Sequence, residues 1–447
     1  MTMAKDLRGL RRLGLFGVVL LLGACSNSWF GDPKKPPLPG DRISVLQMQQ
    51  RLEPAPGSAE GVVELPPANS NESWPFFGGF ASHSNGHLAL GSGLRLSWSS
   101  SIGEGGSSTE RLTAPPIVAD GRVFTLDTST QVSAFDAATG SRLWRVSVIP
   151  REERGADVLG GGVGYADGRL FVTAGYSEVV ALDPANGGLI WRQRTNTPVR
   201  AAPTVLEGRV FSVTLDNELV AMSAIDGAVL WTHTGLVELA GVLGAASPAA
   251  DRNLVVAAYS SGEVFGLRAE NGRIAWSDSL GAIRRTGAMT NLADIRGAPV
   301  IDRGLVFAVS YGGRVVGIDE RTGARAWQQE IGGAEMPWVA GETLFLVTND
   351  AELLALTRRS GQIRWVRPLD RWLDGKRRTG AITWTGPVLA GGRLILGNSV
   401  GEVWEVNAET GAILGNWKAG RAISLPPVVA GNTLYILNDS GDLLAYR

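Results

Sequence analysis

The feature that most constrains this chain is a glycine followed four residues later by a tryptophan, which recurs six times. The pairs are Gly140/Trp144, Gly187/Trp191, Gly227/Trp231, Gly272/Trp276, Gly323/Trp327 and Gly361/Trp365. Trp98 stands in phase before them, and Gly411 with Trp417 forms a looser last copy. Successive tryptophans of this series lie 38 to 52 residues apart. That period fits one four-stranded blade of a β-propeller and is too irregular for a solenoid.

Within each repeat the pattern predicts four short strands joined by tight turns. An apolar run such as Ile117-Val118 is followed by a dipeptide such as Asp120-Gly121, which supplies the positive φ angles of a two-residue hairpin. Two further strands follow, and the turn from Asp136 to Gly140 leads into the strand that carries Trp144. The 59 glycines of the chain agree with such a turn-rich, all-β fold.

The two ends of the repeat region predict how the ring closes. The last repeat stops at residues 444–447, where its third strand should end, and has no fourth strand. Residues 94–98 read as a fourth strand without the three that should precede it. We therefore predict an eight-bladed β-propeller whose last blade is completed by the N-terminal strand, because closure removes exposed sheet edges.

The first 24 residues read as a lipoprotein signal peptide and not as part of the fold. Basic residues precede an apolar run, 13–22, that is too short to span a bilayer. Leu22-Gly23-Ala24-Cys25 then resembles a bacterial lipobox, in which the signal is cut before the cysteine and its thiol is acylated. The alternative is an ordinary secretory signal with a chance cysteine. We predict lipidation because Cys25 is the only cysteine of the chain and stands at the cleavage point.

The remaining chain divides into a tether and a folded domain. Residues 25–71 are rich in proline, which favours extended conformations, so we predict a lipidated, Pro-rich tether there and the propeller in residues 72–447. Ser26 follows the cysteine, where an aspartate usually retains such lipoproteins in the inner membrane. We therefore expect a bacterial protein anchored to the outer membrane on its periplasmic face. The formal net charge of −1 gives no reason to expect nucleic acid as a partner.

A segment of the repeat resembles a known family. Ala134 to Trp144 match the pattern A-x-D-x-x-T-G-x-x-x-W, which is similar to the tryptophan-docking repeat of quinoprotein propellers. The segments 181–191 and 317–327 are near copies, whereas 221–231, 266–276 and 355–365 keep the glycine and tryptophan but not the aspartate. Two groups share this repeat: the PQQ-dependent dehydrogenases, and the BamB lipoproteins of the outer-membrane β-barrel assembly machinery. The lipobox, tether and eight-tryptophan ring resemble the BamB family over residues 22–447.

The resemblance implies a non-enzymatic scaffold subunit of the complex that inserts outer-membrane proteins. It implies binding to a POTRA domain of the central barrel-assembly protein, with nascent outer-membrane proteins as possible further partners, and no cofactor. One alternative is a periplasmic PQQ-dependent dehydrogenase, but the chain lacks the vicinal cysteine pair that many of those enzymes carry. A lipoprotein sensor or carbohydrate-binding propeller is the other alternative.

No residues of the sequence predict a catalytic or metal site. His83 and His87 lie four apart in what reads as a loop, and with His233 they are the only histidines. The Gly-rich segment 159–164 lacks the Lys-Ser/Thr that would follow it in a phosphate-binding loop, so we expect close backbone packing there. The eight ring tryptophans are expected to be structural: Trp98, Trp144, Trp191, Trp231, Trp276, Trp327, Trp365 and Trp417.

Long connections between blades carry the functional prediction. Residues 233–247, 277–298 and 366–385 are all of the fourth-to-first-strand kind, so they should cluster on one face. The resemblance aligns 240–248 and 291–299 with two adjacent partner-contact loops of the BamB family. The predicted partner-binding residues are Ala240, Val242, Leu243, Asp294 and Arg296. Asp294 matches an acidic contact of that family, whereas Leu243 replaces its arginine and Arg296 replaces a second aspartate.

The third loop is basic, with Arg371, Lys376, Arg377 and Arg378, and reads as solvated or as a weaker contact with anionic lipid head groups.

Overall fold

Each tryptophan repeat forms one four-stranded antiparallel sheet in the computed structural model, which describes residues 52–54, 63–107, 110–153, 160–237, 245–281 and 294–447. These residues belong to one compact unit, Leu52–Arg447, and contain eight such sheets, so the predicted all-β, eight-bladed propeller is confirmed. Within these residues no helix is long and apolar enough to cross a membrane.

The strands of each blade follow one another outward from the centre. The strands of blades 1 to 4 are Ile117–Ala119, Arg122–Leu126, Gln131–Asp136 and Arg142–Ser147; Gly162–Ala166, Arg169–Thr173, Glu178–Leu182 and Leu189–Arg194; Thr204–Leu206, Arg209–Val213, Glu218–Ser223 and Val229–Thr234; and Ala249–Asp251, Leu254–Ala258, Glu263–Arg268 and Ile274–Ser279. Those of blades 5 to 7 are Val300–Asp302, Leu305–Ser310, Arg314–Asp319 and Arg325–Gln329; Trp338–Ala340, Thr343–Val347, Glu352–Thr357 and Ile363–Pro368; and Trp384–Ala390, Arg393–Asn398, Glu402–Asn407 and Ile413–Lys418. A small hairpin, Trp372–Asp374 with Thr379–Ala381, lies between blades 6 and 7.

Blade 8 closes the ring with strands from both ends of the chain. Its first three strands are Val428–Ala430, Thr433–Leu437 and Asp442–Tyr446, and its fourth is the N-terminal strand Leu96–Ser101. Ser99 lies opposite Leu444 in the antiparallel pair. Arg95 and Arg447 extend the pairing by exchanging two backbone hydrogen bonds, of 2.8 and 3.0 Å. The closing strand therefore comes from the segment that the sequence predicts.

The alanine of the repeat is explained by the register across each sheet. In blade 1, Phe124 lies opposite Ala134, which lies opposite Trp144, so one small residue separates two aromatic side chains. The ring centroids of Phe124 and Trp144 lie 6.0 Å apart over Ala134. The same pairs recur at 5.9 to 6.0 Å as Phe171/Trp191, Phe211/Trp231, Phe307/Trp327 and Phe345/Trp365. Packing of these rings contributes to the apolar core of each blade.

The tryptophans also join each blade to the next. The indole N–H of Trp98 donates to the carbonyl of Ala137, 3.2 Å away in the turn of blade 1. A Cβ on Gly140 would lie 2.5 Å from the Trp98 ring, so the ring lies directly on that turn. The other indole–carbonyl pairs of this kind are Trp144–Pro184, Trp191–Ala224, Trp231–Ala269, Trp276–Glu320, Trp327–Arg358 and Trp365–Ala408. Thus glycine and tryptophan recur together because each packs against the other across a blade boundary.

Trp417 does not occupy the eighth docking position that the sequence analysis assigns to it. In blade 7 the residue opposite the third strand at that position is Gly415, which pairs with Glu405. Glu405 replaces the small residue of the other blades and forms an ion pair with Arg393 at 3.0 Å. The next blade is the closing one, whose third strand, Asp442–Tyr446, and fourth strand, Leu96–Ser101, are not joined by a turn that an indole could cover. Trp417 instead packs edge-on against Tyr446, with ring centroids 5.8 Å apart.

The two ends of the propeller differ in construction. We call the end with the first-to-second and third-to-fourth turns the hairpin face, and the end with the fourth-to-first connections the loop face. On the hairpin face the inner turns are nearly identical: φ is 49° and 68° at Asp120 and Gly121, and 49° and 70° at Asp167 and Gly168. These positive angles are those of the two-residue hairpins that the sequence predicts.

An N-terminal segment, residues 63–91, packs across the hairpin face. Trp74 exchanges two backbone hydrogen bonds with Val118 of blade 1, at 2.7 and 2.9 Å. Further backbone bonds join this segment to inner strands and turns of blades 2, 4, 5, 7 and 8, through Tyr165, Ala250, Ile301, Gly391 and Gly431. Val63, at 2% exposure, belongs to the buried core although it lies in the predicted tether. The packed chain therefore begins upstream of residue 72.

Candidate functional site

The loop face carries the predicted binding loops, and the structure describes part of them. Ala240, Val242 and Leu243 lie outside the described residues, as does Cys25. Asp294 is 5% exposed, and its carbonyl accepts a hydrogen bond from the Tyr311 N–H at 2.9 Å. Its side chain is thus part of the packed structure and not a freely exposed charge.

Arg296 occupies a different position from Asp294, although the two are only two residues apart. It is half-buried and lines the mouth of the central channel, together with Glu335. Burial raises the pKa of the Glu335 carboxyl, and the charge of Arg296 acts in the opposite direction. Of the two predicted residues in the second loop, Arg296 is therefore the one whose side chain reaches a solvent-connected cavity.

Beside the first predicted loop lies an exposed apolar patch that the sequence analysis did not single out. It consists of Leu215, Leu236 and Val237, whose exposed fractions are 42%, 65% and 57%. Asn217 holds the two chain segments together, because its side-chain amide donates to the Leu236 carbonyl at 2.6 Å. The sequence feature that indicates this patch is the pair Leu236-Val237 shortly after a fourth strand. Two apolar side chains at that place are not needed to fill the core.

The basic third loop is the hairpin between blades 6 and 7. Arg371 pairs with Asp350 at 2.8 Å and lies over the Trp372 ring, 5.7 Å from its centroid. Asp374 accepts hydrogen bonds from the backbone N–H groups of Lys376 and Arg377, both at 3.0 Å. Leu373 is 69% exposed. The hairpin is thus ordered by its own hydrogen bonds; Arg377 also pairs with Asp374 at 3.8 Å, and Lys376 and Arg378 are exposed.

His83 and His87 are held as structural groups in the described part of the chain. His83 is 1% exposed, its Nδ1 lies 2.7 Å from the Pro299 carbonyl, and burial lowers its pKa to about 4. His87 accepts from the Gly392 N–H through Nε2 at 2.8 Å, which leaves Nδ1 to donate to the Pro66 carbonyl. Both join the N-terminal segment to the propeller. Among described residues no cluster of His, Cys, Asp or Glu could hold a metal ion.

The Gly-rich segment lines a narrow part of the interior. A Cβ on Gly161 would lie 2.1 Å from the Thr173 carbonyl oxygen, and one on Gly162 would lie 2.4 Å from the Ala202 side chain. Glycine is therefore required by the close approach of the neighbouring backbone, and these contacts support the packing interpretation over a phosphate-binding loop.

Comparisons with known proteins agree on one group. The family described as "Outer membrane protein assembly factor BamB" matches residues 128–367. The protein of that name from Alkalilimnicola ehrlichii is 32% identical over 351 residues, which are 78% of this chain and 87% of that protein. The crystal structure of BamB from Moraxella catarrhalis superposes with a TM-score of 0.68 at 21% identity, covering 79% of this chain and 99% of that one.

The fold is shared more widely than the sequence. The quinohemoprotein alcohol dehydrogenase from Comamonas testosteroni superposes with a TM-score of 0.64, covering 85% of this chain and 81% of that enzyme, but is only 14% identical. At that identity the likeness shows the fold alone, because one propeller architecture hosts unrelated functions.

Proposed function

The chain belongs to the BamB family of outer membrane protein assembly factors, and on that premise we propose that it docks onto a POTRA domain of the central barrel-assembly protein through its loop face. Members of this family are assembly factors and not enzymes, so the chain acts in outer membrane protein assembly as a non-enzymatic subunit. Nascent outer-membrane proteins are proposed as further partners.

The exposed patch of Leu215, Leu236 and Val237 carries the docking proposal. Apolar side chains that remain exposed in a folded domain are typical of a protein-binding surface, above all when polar groups surround them. The patch directly precedes the segment 240–243, which the family resemblance aligns with a partner-contact loop. Glu263 borders it, because its carboxylate accepts a 2.7 Å hydrogen bond from the Leu236 N–H. We propose that the patch and residues 240–243 form one binding surface, with Arg296 on the neighbouring loop.

The test is co-purification of the barrel-assembly protein with variants of this surface. Leu236→Asp should place an unpaired charge in the contact and weaken binding by about 2 kcal/mol or more, roughly thirtyfold. Val242→Asp should act in the same direction. Arg296→Gln is preferable to a change at Asp294, because the buried Asp294 side chain would confound binding with folding.

Ile225→Asp is the matched control, because Ile225 is 70% exposed but lies in the third-to-fourth turn of blade 3, on the hairpin face. It should leave co-purification unchanged. Full retention of the partner by Leu236→Asp and Val242→Asp, with normal melting curves, would show that the loop face is not the docking surface.

The anchoring proposal is separate. The family acts at the outer membrane, and we propose that acyl chains on Cys25 hold the protein there on the periplasmic side, with cleavage after residue 24. Several acyl chains give stable anchoring where one is marginal. Cys25→Ala should therefore release the protein from the membrane fraction in cells that lack the barrel-assembly partner; unchanged fractionation would contradict lipid anchoring.

A further inference from the structure

The loop face opens into a cavity at the centre of the ring. Its volume is about 370 Å³, within the range of small-ligand sites. Three arginines line it: Arg111 from the connection before blade 1, Arg200 from the connection before blade 3, and Arg296 from that before blade 5. The connections before alternate blades thus bring three arginines to one cavity.

The positive charge of this cavity is compensated only in part, because three arginines line it beside one carboxylate, that of Glu335. Among the described residues, no carboxylate lies within ion-pair distance (4.0 Å) of any of the three arginines. Glu335 is the acid in the lining: its carboxyl interacts electrostatically with Arg296, and it also accepts a hydrogen bond from the Thr385 hydroxyl of blade 7 at 2.9 Å. The whole chain has a formal charge of −1, so this cluster departs from the balance of the surface.

The cavity is also partly apolar. Phe77 of the N-terminal segment lines it from the hairpin-face side, and Leu112, Leu425 and Pro426 contribute apolar wall. A concave site with low-dielectric walls focuses the field of its charges and raises the local concentration of counter-ions. Apolar wall favours an anion with a carbon skeleton over a fully hydrated inorganic ion.

We propose that the central cavity is a receptor for organic carboxylates, held by Arg111, Arg200 and Arg296. A guanidinium presents a planar fork of N–H donors that matches a carboxylate in a bidentate arrangement. Two sources supply that chemistry: a free small polycarboxylate, or the acidic side chains of a peptide inserted from the loop face. The site does not depend on the docking proposal, because the cavity exists in the isolated chain.

Calorimetric titration of the full-length protein in detergent at low salt tests the site. The two probes are citrate and a hexaglutamate peptide. We expect at least one of them to bind, and we expect Arg200→Gln and Arg296→Gln each to weaken that binding about tenfold or more, the size of one lost charge-assisted contact. Arg169→Gln is the matched control, because Arg169 is also half-buried but begins the second strand of blade 2 beside a hairpin-face turn. It should bind like the parent.

The outcomes of this titration distinguish the two ligand sources from each other, and distinguish failure of the cavity proposal from failure of the docking proposal. Citrate binding that is lost in Arg200→Gln supports a small-molecule site, and binding of hexaglutamate alone supports a peptide source. If neither probe binds the parent, or if binding is equal in Arg200→Gln, Arg296→Gln and Arg169→Gln, the proposal is overturned. Melting curves of each variant establish that the fold is retained. Full retention of the partner by Leu236→Asp and Val242→Asp, together with intact citrate binding, would refute the docking proposal alone.

Discussion

The hairpin face and the loop face of this propeller are built from the same eight sheets but follow different rules. On the hairpin face the turns are short, nearly superposable and covered by the segment 63–91. On the loop face the connections differ in length, and an arginine-lined cavity opens at the centre. The repeat therefore determines one face, whereas the departures from the repeat are collected on the other.

The difference has a physical origin in the chain order of each blade. The first-to-second and third-to-fourth turns must reverse the chain within one sheet, so hydrogen-bonding geometry restricts them to a few forms. A fourth-to-first connection must cross from the rim to the centre of the next blade, and its length is free above a minimum. Variation on that side costs little stability. Binding surfaces are consequently expected on the loop face.

Ring closure is the strongest test of this comparison, because both faces depend on it. Deleting residues 94–101 removes the fourth strand of blade 8 and exposes the edge of Asp442–Tyr446. We expect loss of the cooperative thermal transition or oligomerisation through the open edge, measured by calorimetry and light scattering.

The control is a deletion of residues 26–50, upstream of the buried Val63, which should leave the melting temperature within a few degrees of the parent. Equal melting temperatures for both deletions would contradict closure by the N-terminal strand.

The cover of the hairpin face should be the next most costly part to disturb. Trp74 is 2% exposed and stacks on Trp338 of blade 6, with ring centroids 6.1 Å apart. Trp74→Ala should cost about 3 to 5 kcal/mol of unfolding free energy, as for other large core truncations. Trp372→Ala, in the partly exposed hairpin of the loop face, is the comparison and should cost less than about 1.5 kcal/mol. Similar losses in urea unfolding would mean that the two faces are equally packed.

The sequence alone was sufficient for the parts that repeat. The phase of Gly140 and Trp144 and its recurrence predict the blade, because the two residues pack against each other across every boundary but one. The isolated strand at 94–98 and the truncated last repeat likewise predict the closure. Each of these predictions rests on local geometry that is the same in every copy.

The parts that do not repeat were beyond sequence reasoning. Arg111 and Arg200 carry no local signal, since each precedes a first strand at a different distance and they meet only when the ring forms. Asp294 reads as a surface acid, yet the fold buries it. The approximate spacing of Trp417 predicts an eighth docking position, and only the strand register shows that Gly415 occupies that position.

The test with the smallest expected effect concerns blade 7. This blade departs from the repeat on the hairpin-face side of the molecule, because Gly415 stands where the other blades carry a tryptophan. Gly140 has φ of 74°, and a Cβ there would lie 2.5 Å from the Trp98 ring. Gly140→Ala should therefore cost about 1 to 3 kcal/mol through backbone strain and displacement of the ring.

At Gly415 an added Cβ meets no atom within 4 Å. Gly415→Ala should change stability by no more than about 0.5 kcal/mol, and a slight gain is expected because alanine loses less conformational entropy in a strand. Chemical unfolding of the two variants beside the parent measures both effects. A loss at position 415 as large as that at 140 would show that the fourth strand of blade 7 is covered at the position where the other blades carry a tryptophan, and that its departure from the docking geometry has been misjudged.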